Sequence, residues 1–240
     1  MDTLAFNLFW ENSKLNRSNF PQFLANIERD DQKLHHYPQL LYPGKDIKLI
    51  EPQDPLANIQ NQRRSNRLFS HKPLEESEIG SLLYASTSTT ADLSLVPSAG
   101  GKYPVELFTL HFNTQGENNN SICYYNRDSH ALTEVKDCPH WNKISPGMGI
   151  KLEHAPSLCI VLVGFPSRTT SKYGERGGRF LLIEAGHIAQ NISLRAADSG
   201  LHGVECGGLF DDAFKKLLGL EKTEAVILLG YACGHGQKQL

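Results

Sequence analysis

Two stretches, SLCIVLVGF at 157–165 and EAVILLGYA at 224–232, constrain the fold most. Each is continuously apolar and rich in β-branched residues, so each reads as a strand buried on both faces. Such strands need packed layers above and below, which a 240-residue chain with 40% hydrophobic residues can supply. Between the runs, Leu181, Ala185, Ile188, Ile192 and Ala196 form one helical stripe, and Gly200 stands where a helix-ending glycine belongs. PLEESEIGSLLYAST (73–87) predicts a second helix, with acids in its first turn and Ile79, Leu82 and Leu83 at helical spacing. VELFTLHF (105–112) alternates apolar and polar residues as a strand does. ICYYN and ALTEV flank a turn-rich segment and read as a hairpin. HGVECGG reads as extended, and DDAFKKLLGL as a short helix with an acidic start. Hairpin neighbours are antiparallel, so the pattern favours an α+β layered architecture over a doubly wound sheet. Residues 1–60 are polar and interrupted by prolines; they predict one or two short helices and extended connections ahead of a domain at 61–240.

Charge and cysteine usage exclude several classes. A net charge of -2 and a pI near 6.5 argue against a nucleic-acid or anionic-membrane surface. No apolar run approaches bilayer-spanning length. MDTLAFNLFWENSK lacks a basic segment followed by an apolar one, so no signal peptide is expected and the expected location is the cytoplasm. Five widely spaced cysteines fit reduced thiols there. No histidine or cysteine spacing suits a metal, and His35-His36 reads as a solvated pair.

Four segments carry candidate chemistry. RRSNRLF places Arg63, Ser65 and Arg67 together, an anion receptor in which guanidinium groups meet phosphate at two points and a hydroxyl adds a donor. The rival reading is a solvated basic face. VPSAGGKYP (96–104) sets Ser98, Gly100 and Gly101 between two prolines, where a flat ligand can approach backbone N–H groups. HGVECGGLFDD offers the N–H groups of Gly208 and Leu209 to a heteroaromatic ring. For both, a plain loop is the competing reading. TTSKYGERGGRFLLIE (169–184) sets Lys172 beside Tyr173 in a loop ahead of the long helix, either as solvated side chains or as a proton-transfer pair. Glu184 and His187 share a helix face, as supports or as surface residues, and Gln190-Asn191 reads as an interface pair.

In order and combination, these segments resemble the flavin-dependent nitroreductase superfamily. PSAGGKYPVELF and SKYGERGGRFLLIEAGHIAQN resemble, more narrowly, its SagB-type dehydrogenases, the azoline oxidases of ribosomal peptide maturation. The resemblance spans Arg63 to the last apolar run. It implies a mixed, mainly antiparallel sheet flanked by helices, in an intertwined homodimer with FMN at the interface. Arg63, Ser65 and Arg67 would hold the FMN phosphate. Ser98, Gly100 and Gly101 would line the flavin from the partner subunit. Gly208 and Leu209 would offer N–H groups near its reactive nitrogen. Many relatives add a basic residue near the C-terminus, where this chain offers only His235 and Lys238.

The implied reaction converts a thiazoline or oxazoline to its azole. A hydride leaves to the flavin, and a proton leaves the ring's α-carbon to a base. The resemblance assigns that step to Lys172 and Tyr173. Nearby cations favour an unprotonated lysine, and Arg176 and Arg179 stand close in sequence. Molecular oxygen is the expected acceptor. A peptide is the expected substrate, with cyclodehydratase subunits as expected partners because the chain lacks an ATP-phosphate motif. The alternatives are a general NAD(P)H-dependent nitro- or quinone-reductase and a scaffold subunit of a peptide-modifying complex.

Overall fold

The computed structural model describes residues 3–31, 43–44, 47–87, 89–90 and 93–237. Residues 32–42 and 45–46, which include His35 and His36, and Lys238 lie outside the described residues. Helices α1 (Leu4–Ser13), α2 (Phe20–Asp31), α3 (Pro55–Gln62) and α4 (Glu76–Thr87) precede a two-residue hairpin, β1 (Thr89–Thr90) with β2 (Leu93–Ser94). Then come β3 (Val105–His111), β4 (Ser121–Asn126), β5 (Ala131–Asp137), α5 (Trp141–Ile144) and β6 (Leu158–Gly164). The chain continues through α6 (Ser167–Tyr173), α7 (Arg176–Asp198), β7 (His202–Cys206), α8 (Asp211–Leu217) and β8 (Val226–Gly234).

Six strands form one sheet in the order β5-β4-β3-β6-β8-β7, every pairing antiparallel. The two apolar runs become β6 and β8, adjacent and central, and the continuity of β6 has a simple cause. Leu158, Ile160 and Leu162 pack on the α4/α7 side, while Cys159, Val161 and Val163 pack on the opposite side with Phe69, Met148 and Phe214. A strand with helical layers on both faces has no solvent side for polar residues to occupy. The alternation in β3 has the same cause with a different outcome, because its polar residues are buried too. Thr109 and His111 bond one another at 2.9 Å, and His111 also meets Thr114 at 3.2 Å. With its two nitrogens so engaged, the imidazole is held neutral by burial, its pKa lowered to about 4.

The long helix forms as its stripe predicts. Leu181, Ile188 and Ile192 are fully buried, and Gly200 follows the helix with φ 68°. Asn191 donates to the Ala85 carbonyl at 3.1 Å, so this side chain ties α7 to α4 within the chain. The N-terminal segment holds three helices where one or two were expected. Proline explains α3: Pro55 sits in its first turn and Asp54 caps it, accepting from Ala57 N–H at 2.8 Å. Glu175, at the start of α7, accepts from the Ala5 and Phe6 N–H groups at 3.0 and 2.8 Å and docks α1. No described helix is long and apolar enough to cross a membrane.

Candidate functional site

Lys172 and Tyr173 do not lie in a loop. They form the last residues of α6, which Gly174 ends in a non-helical conformation while donating its N–H to the Thr170 carbonyl at 2.8 Å. A serine- and threonine-rich helix has weak intrinsic propensity, so packing of buried Thr169 and Thr170 decides its state. Tyr173 lies edge-on to Phe180 at 4.9 Å, and the Lys172 ammonium sits 5.3 Å from the Tyr173 ring centroid. Lys172 itself is exposed.

The P-S-A-G-G segment is brought directly against this pair. Gly100 adopts φ 62°, and a Cβ there would overlap the Tyr173 hydroxyl and lie 2.7 Å from Lys172 Nζ. Only glycine combines that backbone with that approach. The turn then carries strain at Tyr103, a non-glycine residue with φ 43°. Several contacts hold it there. Ser98 Oγ accepts the Tyr103 N–H at 2.8 Å, Arg168 donates to the Tyr103 carbonyl at 2.7 Å, and the Arg127 guanidinium lies 4.7 Å above the Tyr103 ring. Arg168 also pairs with Glu106, whose other oxygen accepts from the Tyr124 hydroxyl at 3.0 Å. Burial, with the negative charge of Glu106 beside it, pushes the Tyr124 hydroxyl up to about 12.

Beneath the turn lies Glu184, which sequence reasoning left undecided between support and surface. It is 3% exposed. Burial raises its pKa to about 7 against the opposing effect of bonds from Ser98 and the Val105 N–H and of the charges on Arg127 and Arg168. One carboxyl oxygen has no hydrogen-bond partner among the described residues. A helical stripe that includes position 184 beside Leu181, Ala185 and Ile188 was the available signal for its burial. His187, by contrast, is exposed.

The arginine segment lies elsewhere. Asn66 N–H donates to the Gly203 carbonyl at 2.9 Å, and His202 Nδ1 meets the Leu68 carbonyl at 2.9 Å, so 63–68 runs along the edge strand β7. Arg67 and Ser65 are exposed and Arg63 is half-buried. Among the described residues no carboxylate pairs with Arg63 or Arg67. Two unneutralised guanidinium groups and a free hydroxyl fit a phosphate. Gly208 and Leu209 follow the other end of β7. Gly149 presses on Gly208 so closely that a Cβ on Gly149 would overlap the Gly208 carbonyl. Gly208 and Leu209 are both buried where the chain turns after β7. His235 does not join the anion receptor: its Nε2 lies 3.1 Å from Glu78.

The structure therefore makes two clusters. Arg63, Ser65, Arg67, Gly208 and Leu209 share the β7 edge. Ser98, Gly100, Gly101, Lys172 and Tyr173 gather near the start of β3, three strands across the sheet, roughly 14 Å at ordinary strand spacing.

A model of the nitroreductase family matches residues 61–235. A Methanocaldococcus jannaschii protein whose name places it among nitroreductases is 28% identical over 187 residues, 76% of this chain and 91% of its own length. The Escherichia coli microcin B17-processing protein McbC is 28% identical over 139 residues, 55% of this chain and 51% of its own, so only about half of that protein is matched. The solved E. coli microcin synthetase McbBCD complex with truncated pro-MccB17 bound superposes with a TM-score of 0.67 at 24% identity. That match covers 90% of this chain and 82% of the other.

Proposed function

The chain belongs to the nitroreductase family, a family of oxidoreductases, and on that footing we propose that it is an FMN-dependent dehydrogenase that oxidises azoline rings in a ribosomally made peptide. The observation that carries this reading is the Lys172–Tyr173 pair packed on Gly100: a proton acceptor held against a loop that leaves room for a flat ligand. The partial likeness to McbC and the superposition on its complex point the same way.

FMN, when bound, supplies a two-electron hydride acceptor. Arg63, Ser65 and Arg67 would hold its phosphate, and the Gly208 and Leu209 N–H groups its ring. Ser98, Gly100 and Gly101, three strands away in the same chain, would reach it from a second copy. Leu182 and Ile183, 41% and 54% exposed on α7, supply apolar surface for that copy to cover. Lys172 takes the proton from the azoline α-carbon, and Tyr173, fixed by Phe180, hydrogen-bonds at the same place. We take residues 1–60 as an extension of a domain at 61–240. Cyclodehydratase subunits deliver the cyclised peptide, oxygen is the final acceptor, and the location is the cytoplasm.

The test separates flavin binding from proton removal. Lys172→Ala should retain FMN and lose peptide oxidation; full oxidation with normal flavin content overturns the assignment. A general NAD(P)H-dependent reductase, favoured by the name of the M. jannaschii relative, would instead show rapid flavin bleaching by NAD(P)H.

A further inference from the structure

We propose that Arg168 is a positioning residue for the Lys172–Tyr173 pair, holding the turn at 98–104 in register with α6. The consequence for turnover rests on the proposed function; the structural part does not. The turn has a shape the chain does not adopt freely, with φ 62° at Gly100, 63° at Gly101 and 43° at Tyr103. A conformation of that kind persists only where its surroundings over-determine it.

Helix α6 meets this turn at both of its ends. At its start, Arg168 Nη1 donates to the Tyr103 carbonyl at 2.7 Å, and just ahead of the helix the Phe165 N–H donates to the Pro104 carbonyl at 2.8 Å. At its end, Lys172 Nζ and the Tyr173 hydroxyl lie against Gly100 so closely that a Cβ there would overlap them. Arg168 and Lys172 are four residues apart, neighbours on one helix face separated by one turn of about 5.4 Å. One turn of helix thus sets where the pair falls along the 98–104 segment.

Arg168 is itself fixed. Its guanidinium lies 4.9 Å from the Phe165 ring centroid, and the same Nη1 pairs with buried Glu106 on β3. The other oxygen of Glu106 accepts from the Tyr124 hydroxyl at 3.0 Å, so β3 and β4 both hold the carboxylate that aims the arginine. A buried ion pair adds little stability over an apolar pair of the same size. What it adds is direction, here a charged donor aimed at one backbone carbonyl of the turn.

Removing Arg168 alone would leave Glu106 buried without its cation and could unfold the chain for that reason. The comparison therefore starts from Glu106→Gln, whose amide oxygen still accepts from Arg168. The experiment is hydrogen exchange by mass spectrometry on flavin-free protein, combined with kcat, KM and FMN content of the loaded enzyme. Glu106→Gln should exchange like wild type at 98–105. Adding Arg168→Met, which keeps an apolar stem on Phe165 but donates nothing, should strip protection from 98–105 and from the Phe165 amide while 158–163 keep theirs. kcat should fall about a hundredfold at unchanged KM and FMN content, the scale expected for an ångström-level misplacement. Exchange at 98–105 that does not change when Arg168→Met is added overturns the inference, as does a loss of FMN that accounts for the lost turnover. If wild-type protein oxidises no azoline, the proposed function falls, and the exchange comparison still decides what Arg168 holds.

Discussion

Lys172 and Glu184 would come to their proposed chemistry by opposite routes. Lys172 is exposed and owes its place to what it rests on; Glu184 is buried and owes its chemistry to that burial. Removing the Lys172 amine should cost about 10²–10⁴ in peptide oxidation, the usual range for a general base, with bound FMN unchanged on release and quantitation. Tyr173→Phe should cost less, because the ring contact with Phe180 survives and only the hydroxyl is lost. Glu184 makes a separate prediction about stability. Its pKa is raised from 4.5 unfolded to about 7 folded, so across that window the folded chain keeps a proton that the unfolded chain has released. Its contribution is therefore fully present below the unfolded pKa and is lost as pH rises through 7, about 3 kcal/mol in all. Glu184→Gln cannot ionise, so it should gain stability relative to wild type between pH 5 and pH 8 in urea denaturation. A pH-independent difference would contradict the assignment. Its stripe position beside Leu181, Ala185 and Ile188 signals its burial in the sequence, whereas Ser98 and Val105, which also act on its carboxyl, stand about eighty residues away in the chain.

Elements were legible in proportion to how far their own residues decide them. The central strands β6 and β8 and the helices α4 and α7 carry their burial in their apolar pattern, and they lie where that pattern predicts. The end of α6 does not. SRTTSKY has weak helical preference, and Thr169 and Thr170 become helical by packing against the start of α7. The sequence motifs at 98–101 and 172–173 were visible separately, but their contact is a property of the β3 and α6 ends meeting at one end of the sheet. That contact is testable through Gly100. Gly100→Ala should cost about 1–2 kcal/mol for the left-handed backbone alone, and displacement of Tyr173 should add to it. Thermal denaturation measures the sum, and peptide oxidation should fall well beyond what the lost stability explains. In the core, Ile188→Ala should cost about 2–5 kcal/mol without altering FMN affinity in the surviving folded protein.

At the scale of the molecule, the two clusters face different parts of the sheet, and one chain alone does not bring them together. The order of motifs along the sequence says nothing about that separation, which follows from β7 and β3 being three positions apart. Arg63→Ala and Arg67→Ala should each weaken FMN binding by about 10- to 100-fold, the worth of a charge-assisted hydrogen bond, measured by flavin fluorescence. They should leave exchange at 98–105 unchanged. In the proposed reaction the chain takes electrons from an azoline and not from a nicotinamide. The direct measurement is anaerobic mixing of FMN-loaded protein with a pre-cyclised thiazoline peptide, following flavin absorbance and peptide mass together. The flavin should bleach without NAD(P)H while each converted ring loses two hydrogens. A flavin that stays oxidised with the peptide but bleaches at once with NAD(P)H would contradict it.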